Sequence, residues 1–406
     1  MVLVWGILFV VEMKIYLVGG AVRDKLLGVV PNDNDYVVVG SSIEDMLLNG
    51  FRPIGRSFPV FIKKKGSKDE YALARKEIKL GPKHTDFGFI FDEEITLEED
   101  LVRRDFTCNA MAYDLEEDRI IDYHGGIEDI QRKILRHVSP HFVEDPLRVI
   151  RLCRFAAQLG FSVAEETMNL ARDMVLQNQL DYLSTERIWA EIKKALRYPN
   201  FYRFLEVAHE CFALKRILSA VEQLWFVKKD SQGKTLAEHV IECLKHVSKD
   251  SEIVKFATLL HSIGETSFLG ISHPEEESEK QGVKIIKDIC RTLKIPNDYQ
   301  SFAVFVCRNY KKLGQVGRMN LEQLLDLTDD YMKRTPADFE NFMAICRATV
   351  PDSDFGSSER KIRNIYGILS HVRANQMPNF NTLKKDASFK EEYRKFKLNI
   401  LREHGL

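Results

Sequence analysis

Two neighbouring segments carry residue types whose spacing suits chemistry on phosphates. Gly19-Gly20 opens into Ala21-Val22-Arg23-Asp24, and Asp33-Asn34-Asp35 follows shortly after. Glycines let a backbone approach a ligand closely, and free N–H groups at a helix start favour an anion. Aspartates two apart on a strand project to one side, with Cα atoms about 6.5–7 Å apart. Two such carboxylates beside a phosphate-friendly turn are suited to two Mg2+ ions about 3.5–4 Å apart. Each motif alone has an ordinary reading, a tight turn for Gly-Gly and a solvated loop for Asp-x-Asp. Their order, with Arg23 between them, favours the chemical one.

The elements needed to position these groups are legible nearby. The apolar run Ile15-Tyr16-Leu17-Val18 reads as a strand ending at the glycines, and Val37-Val38-Val39 as a second strand after the aspartates. A helix is expected near Ser42–Leu48, then two neighbouring strands, Phe58–Ile62 and Glu70–Arg75, joined by the Lys63–Asp69 turn. Glu70 would begin its strand near the aspartates, as a third carboxylate, as a base for an attacking hydroxyl, or as a solvated strand end. Lys76–Leu97 has Gly81, Pro82 and Gly88 and little periodicity, which predicts a long mobile loop closing over substrate.

Further on, Arg103-Arg104 precedes a helix-like apolar stretch. Arg104 suits bidentate contact with phosphate oxygens, and Thr107 and Asn109 either bond locally or reach a ribose. His124 and His137 have no partners at ligand spacing and read as structural. At Glu144-Asp145-Pro146-Leu147-Arg148 a helix begins, with Asp145 as N-cap and Pro146 at the first position. Arg148, Arg151 and Arg154 fan over roughly 120° of it, above the apolar contacts of Leu147, Ile150 and Phe155. Such a helix is either an ordinary surface helix or a recognition surface. Cytosine and adenine share an amino donor beside a ring-nitrogen acceptor, and guanine and uracil present the reverse. A carboxylate beside a guanidinium complements only the first pattern, so Asp145 with Arg148 would select C and A without a template.

The whole chain constrains these readings. Its 406 residues exceed one ordinary core, so two or more domains are expected. A formal net charge of −1 with 29% charged residues gives no overall basicity, so a nucleic-acid surface would have to be local. The seven cysteines include no Cys-x-x-Cys, which suits a reduced, cytoplasmic protein rather than a disulfide or zinc scaffold. Residues 1–12 are mostly apolar, too short to span a bilayer, and lack the basic start of a signal peptide. They read as an upstream extension, with Met13 as the natural start and no membrane role.

The ordered set Gly19-Gly20-Ala21-Val22-Arg23-Asp24, Asp33-Asn34-Asp35, Arg103–Ala110 and Glu144–Arg148 resembles the motifs of class II CCA-adding enzymes, the tRNA nucleotidyltransferases. Glu70–Arg75 and Arg136–Pro140 look like the proteobacterial multidomain type. The resemblance implies an α+β fold with a polymerase-β-like head, then an all-α neck, body and HD-like tail. The expected divisions are the head at 13–140, neck and body at 141–230, the HD-like domain at 231–340 and a helical tail at 341–406. It also implies tRNA as partner, CTP and ATP as substrates and Mg2+ as cofactor. Asp33 and Asp35 would hold the metal, Gly20, Arg23, Arg104, Arg151 and Arg154 the nucleotide, and Asp145 and Arg148 the base.

The second half is expected to be helical, punctuated at Tyr198-Pro199-Asn200. Its Ala237–Leu244 and Phe256–Glu265 segments resemble an HD-type metal phosphohydrolase. Ser262 stands where that family has Asp, Glu265 where it has Lys, and Cys307-Arg308-Asn309-Tyr310 where a second His-Asp pair would fall. His239 and His261 remain, with His273 as a further candidate, but serine is a poor ligand for a hard cation. The expectation is an HD-like fold that has lost its hydrolytic metal chemistry, with phosphodiesterase and phosphatase activity absent or weak. The basic run Lys384, Lys385, Lys390, Arg394, Lys395, Lys397 and Arg402 is either a solvated face or a phosphate contact for tRNA. Rival readings are a poly(A) polymerase, a CC-only adding enzyme and a non-catalytic RNA-binding module. Gly55–Phe61 favours the CCA-adding type over the first, and the intact Asp33 and Asp35 disfavour the last.

Overall fold

The computed structural model describes residues 13–31, 33–54, 60–64, 66–79, 87–90, 92–229, 232–268, 274–349, 352–378, 380 and 387–406. The extension at 1–12, residues 55–59, His273, Lys384 and Lys385 lie outside them. The chain divides into two compact units, one running to Glu191 with Arg203–Arg216 added, the other comprising Ile192–Tyr202 and Ile217–Leu406.

The first unit is built on a mixed sheet. Its strands are β1 (Lys14–Val18), β2 (Asp35–Val39), β3 (Arg52–Ile54), β4 (Val60–Ile62), β5 (Glu70–Leu73), β8 (Ala112–Asp114) and β9 (Arg119–Ile121), in the spatial order β3-β4-β5-β2-β1-β8-β9. Between β5 and β8, β6 (Lys76–Lys79) and β7 (Phe87–Ile90) pair antiparallel as a separate two-stranded sheet. The central strand β2 is apolar on both faces, so Val37 packs with Val18, Leu101 and Ala112, while Val38 packs with Met46, Phe61 and Leu73. Alternating side chains thereby feed two cores from one strand. Helix α1 (Gly20–Leu26) follows β1 directly, and α2 (Ile43–Leu48) starts at Ser42, whose hydroxyl and Asp45 form a reciprocal capping box.

Two expectations are corrected. Lys76–Leu97 is not one long loop; it contains the β6–β7 hairpin and the start of α3 (Leu97–Leu101). Backbone pairing from Lys76↔Ile90 to Lys79↔Phe87 takes in Gly88, one of the residues that read as loop, while residues 80–86, with Gly81 and Pro82, lie outside the described residues. The helix-like stretch after Arg104 is instead a single 3-10 turn, Thr107–Asn109, leading into β8.

Beyond the sheet come α4 (Gly126–Arg132), α5 (Leu147–Leu159), α6 (Glu165–Leu176), α7 (Thr185–Leu196), α8 (Phe201–Glu210) and α9 (Ala213–Ile217). The break at Tyr198-Pro199-Asn200 separates α7 from α8, as the proline requires. The second unit is helical. It carries α10 (Ser219–Glu222), α11 (Leu236–His246), α12 (Glu252–Leu260), α13 (Glu275–Thr292), α14 (Asn297–Gly314), α15 (Leu321–Met332), α16 (Pro336–Thr349), α17 (Asp352–Ser370) and α18 (Ala387–Glu403). Close packing there depends on Gly264, where a Cβ would stand 1.9 Å from the Ser278 carbonyl oxygen of α13. Lys255 is 2% exposed and its Nζ donates to the Leu196 and Tyr198 carbonyls at 3.1 and 3.0 Å, closing the C-terminal end of α7.

Candidate active site

The sheet brings the carboxylates to one end. Val18, the last residue of β1, pairs with Asp35, the first of β2, and Asp35 pairs in parallel with Glu70, the first of β5. Glycine-ended β1, Asp35 and Glu70 thus form one row across three adjacent strands. Asp33 lies in a bend two residues before β2 rather than within the strand, so turn geometry and not strand alternation sets its side chain. The ionisation of Asp35 registers this crowding. Its carboxyl is exposed, yet surrounding protein displaces enough of its hydration to raise its pKa. Asp33 raises it further, Arg104 pulls it down and Glu70 adds to the rise. Carboxylates that repel one another at a solvent-facing strand end are a donor set suited to a divalent cation.

Arg104 is tied to the turn by shape. Gly19 has φ +74°, and a Cβ on it would stand 3.1 Å from Arg104 Nη1. The guanidinium also donates from Nη2 to Asp100 Oδ2 at 3.2 Å, while Arg104 Nε makes no hydrogen bond among the described residues. Gly20 lies against the Arg23 guanidinium, and Arg23 itself faces inward, only 4% exposed.

Behind this surface runs a buried polar network. Arg23 Nη1 donates to Asn109 Oδ1 at 2.7 Å, Asn109 Nδ2 donates to Asp105 Oδ1 at 3.1 Å, and Arg151 donates from Nε and Nη2 to Asp105 Oδ2 at 2.8 and 2.5 Å. Burial opposes the charge on Asp105, but Arg151, Asn109 and the Phe106 N–H outweigh it and hold the carboxyl below its usual range. Arg154 bonds Glu191 Oε2 from Nε at 2.5 Å and Gln158 Oε1 from Nη1 at 2.8 Å. Arg23, Arg151 and Arg154 converge on the Phe155 ring, with guanidinium carbons 5.4, 5.4 and 3.8 Å from its centroid. Asn109 and Thr107, considered for a ribose, are both turned inward, Thr107 donating to Asp129 at 2.7 Å. Asp105 and Glu191 are members of this arrangement that sequence reasoning missed; only a long-range pairing signal could have found them.

At the start of α5, Asp145 Oδ1 accepts from the Leu147 N–H at 3.0 Å, the capping bond expected of it. The helix bounds begin one residue later than expected, with Pro146 at the flanking position. Asp145 Oδ2 also accepts from Arg187 Nη2 at 3.2 Å, a partner not anticipated. Arg148 is buried. Its Nη1 donates to the His141 carbonyl and its Nη2 to the Arg103 carbonyl, both at 2.6 Å. Asp145 and Arg148 are therefore neighbours on one helix start whose side chains hold separate partners. His137 bonds Thr167, a structural role.

The fold and this row of carboxylates define a nucleotidyltransferase of the polymerase class, a class that uses divalent metal. Residues 15–136 match the family described as Poly A polymerase head domain, and residues 160–224 the one described as probable RNA and SrmB-binding site of polymerase A. A Multifunctional CCA protein of Teredinibacter turnerae is 40% identical over 83% of this chain and 84% of its own. That of Legionella pneumophila strain Paris is 41% identical over 83% and 84%. The chain belongs to the multifunctional CCA protein family. Among solved structures, the Bacillus stearothermophilus CCA-adding enzyme in complex with CTP matches with TM-score 0.65 and 24% identity over 97% of this chain and 90% of that one. The Thermotoga maritima CCA-adding enzyme complexed with tRNA matches with TM-score 0.65 and 18% identity over 96% and 90%. These two likenesses establish the fold.

Proposed function

We propose that this protein adds and repairs the 3′-terminal CCA of tRNA from CTP and ATP without a template, releasing pyrophosphate. The observation that carries the reading is family membership over most of the chain together with the Asp35–Glu70 row beside Arg104. Asp33 and Asp35 are the proposed Mg2+ ligands, and Glu70 the third carboxylate or the base. Mg2+ held there would supply charge neutralisation at the triphosphate and activation of the tRNA 3′-hydroxyl.

The chain's own groups have distinct tasks in this reading. Gly20 gives the triphosphate close access to backbone. Arg104 and Arg151, with side chains 24% and 31% exposed, meet phosphate oxygens. Arg23 and Arg154 support them from the Phe155 side, and reach nucleotide only through movement of that cluster. Asp145 and Arg148 read the base, which requires Arg148 to exchange one of its two carbonyl partners for the base edge. Positioning and fixed charge carry the rate.

The same reading assigns 13–140 to chemistry, 141–230 to neck and body, 231–340 to the HD-like domain and 341–406 to the tail, in a cytoplasmic setting consistent with seven free, buried cysteines. Phosphohydrolase activity is proposed to be absent or weak, because Ser262 replaces the carboxylate such a site needs. The basic tail is mostly occupied internally: Arg394 pairs with Asp326, Lys397 with Asp329 at 2.7 Å, and Lys395 with Glu391 and Glu392. That pairing supports the solvated-face reading of the described part of the run. Incorporation from labelled CTP and ATP into tRNA lacking its 3′ end tests the function, and loss of all incorporation in Asp35→Ala tests the site.

A further inference from the structure

In the second unit, α11 and the end of α12 bring together three donors that the nucleotidyl-transfer reading does not use. His239 and Cys243 lie one turn apart on α11, and His261 follows α12. His239 Nε2 is 3.3 Å from His261 Nε2 and 3.7 Å from Cys243 Sγ. Tetrahedral zinc with Zn–N near 2.05 Å and Zn–S near 2.3 Å sets nitrogen–nitrogen at about 3.35 Å and nitrogen–sulfur at about 3.6 Å. One atom each from His239, Cys243 and His261 falls within 4.8 Å of the others, and this is the only such His, Cys or carboxylate group among the described residues.

The surroundings prepare these atoms as ligands. His261 is 1% exposed, and its Nδ1 donates to the Thr258 carbonyl at 2.6 Å. That bond fixes the tautomer and leaves Nε2 as the lone-pair nitrogen, the outer-sphere arrangement seen around metal-bound histidines. Ser262, 2% exposed, has a hydroxyl without a hydrogen bond among the described residues, an uncompensated polar atom beside the cluster in sequence. Glu265 is engaged by Lys311 at 3.0 Å and Lys229 at 3.7 Å, so it is not offered as a free carboxylate for a hard cation.

We propose that His239, Cys243 and His261 form a tetrahedral site for a zinc-class transition-metal ion, with the fourth position taken by water or an anion. The thiol changes the class of metal. Serine in place of aspartate weakens binding of a hard, oxygen-preferring cation, whereas one thiolate and two imidazoles favour zinc. Cys243 now donates its S–H to the Ala348 carbonyl at 3.1 Å. Binding breaks that bond, forms the metal–sulfur bond and releases one proton to solvent. The ion would tie α11 to the end of α12.

The test is titration of the metal-stripped full chain with Co2+. The expected result is one equivalent giving a thiolate-to-cobalt charge-transfer band and intense tetrahedral visible absorption, both removed by Zn2+. Cys243→Ser should abolish the charge-transfer band and weaken zinc binding at least about tenfold, with unfolding profile and nucleotide incorporation retained as proof of folding. His239→Ala, at a half-buried position, should independently lose the tetrahedral spectrum. Cobalt on the head carboxylates gives only a weak octahedral spectrum, so the two sites are distinguishable. A parent protein without the charge-transfer band, or a band that survives Cys243→Ser, overturns the proposal.

Discussion

Asp35 and Glu70 face each other as register partners in the parallel β2–β5 pair, each the first residue of its strand. Backbone pairing therefore holds two negative charges side by side where neither can retreat. Asp33 adds a third, and the raised ionisation of Asp35 follows from desolvation and these neighbours. In the folded, metal-free chain Asp35 keeps its proton to a higher pH than in the unfolded chain. Stability is thus lost as pH rises from the ordinary carboxylate value through the raised one. Asp35→Asn should abolish incorporation while raising the unfolding midpoint of the metal-free protein at neutral pH. The gain should vanish below about pH 4, where the unfolded carboxyl is also protonated. A midpoint lowered at neutral pH would contradict this account of the site.

Gly19 is required twice, by its φ of +74° and by the 3.1 Å left for a Cβ against Arg104. Gly19→Ala should cost about 1 kcal/mol of stability from backbone strain. It should also displace Arg104 and raise the KM for both nucleotides, by several-fold and equally. Steady-state kinetics with CTP and ATP separately would check it; an unchanged KM would remove Arg104 from the triphosphate side.

Asp145 carries a capping bond and an exposed pair with Arg187, and these separate by mutation. Asp145→Ala should cost about 1 kcal/mol through the lost cap. It should also relax selection of C and A over U and G by about tenfold or more, the scale of one base-edge contact. Arg187→Ala, removing an exposed ion pair, should cost less than about 1 kcal/mol and leave selection within a few-fold. Collapse of selection in Arg187→Ala instead would move the reading head to that residue.

Local signals explain what was legible beforehand. β1, the glycine turn, β2 and the Asp145 cap of α5 are each specified within a few residues, and each is found in the structure where those residues stand. The β6–β7 hairpin was not legible, because Gly81, Pro82 and Gly88 mask a pairing decided between strands. The arginines were visible as types but not as partners. Arg151 reaches Asp105 across 46 positions and Arg23 reaches Asn109 across 86, and three of the five site arginines, Arg23, Arg151 and Arg154, proved to gather around Phe155. Cys243 stood one helical turn from His239 in plain sight, but its relation to His261 depends on how α11 packs on α12.

The central claim is that one site adds C, C and A in order and then stops. The direct measurement is extension of tRNA lacking its 3′ end by the parent protein, with each nucleotide alone and with CTP plus ATP, resolved to single-nucleotide length. The account predicts two residues from CTP alone, termination after C-C-A with both, and nothing from UTP or GTP. Long tails from ATP alone, or a stall at C-C with both nucleotides present, would contradict it.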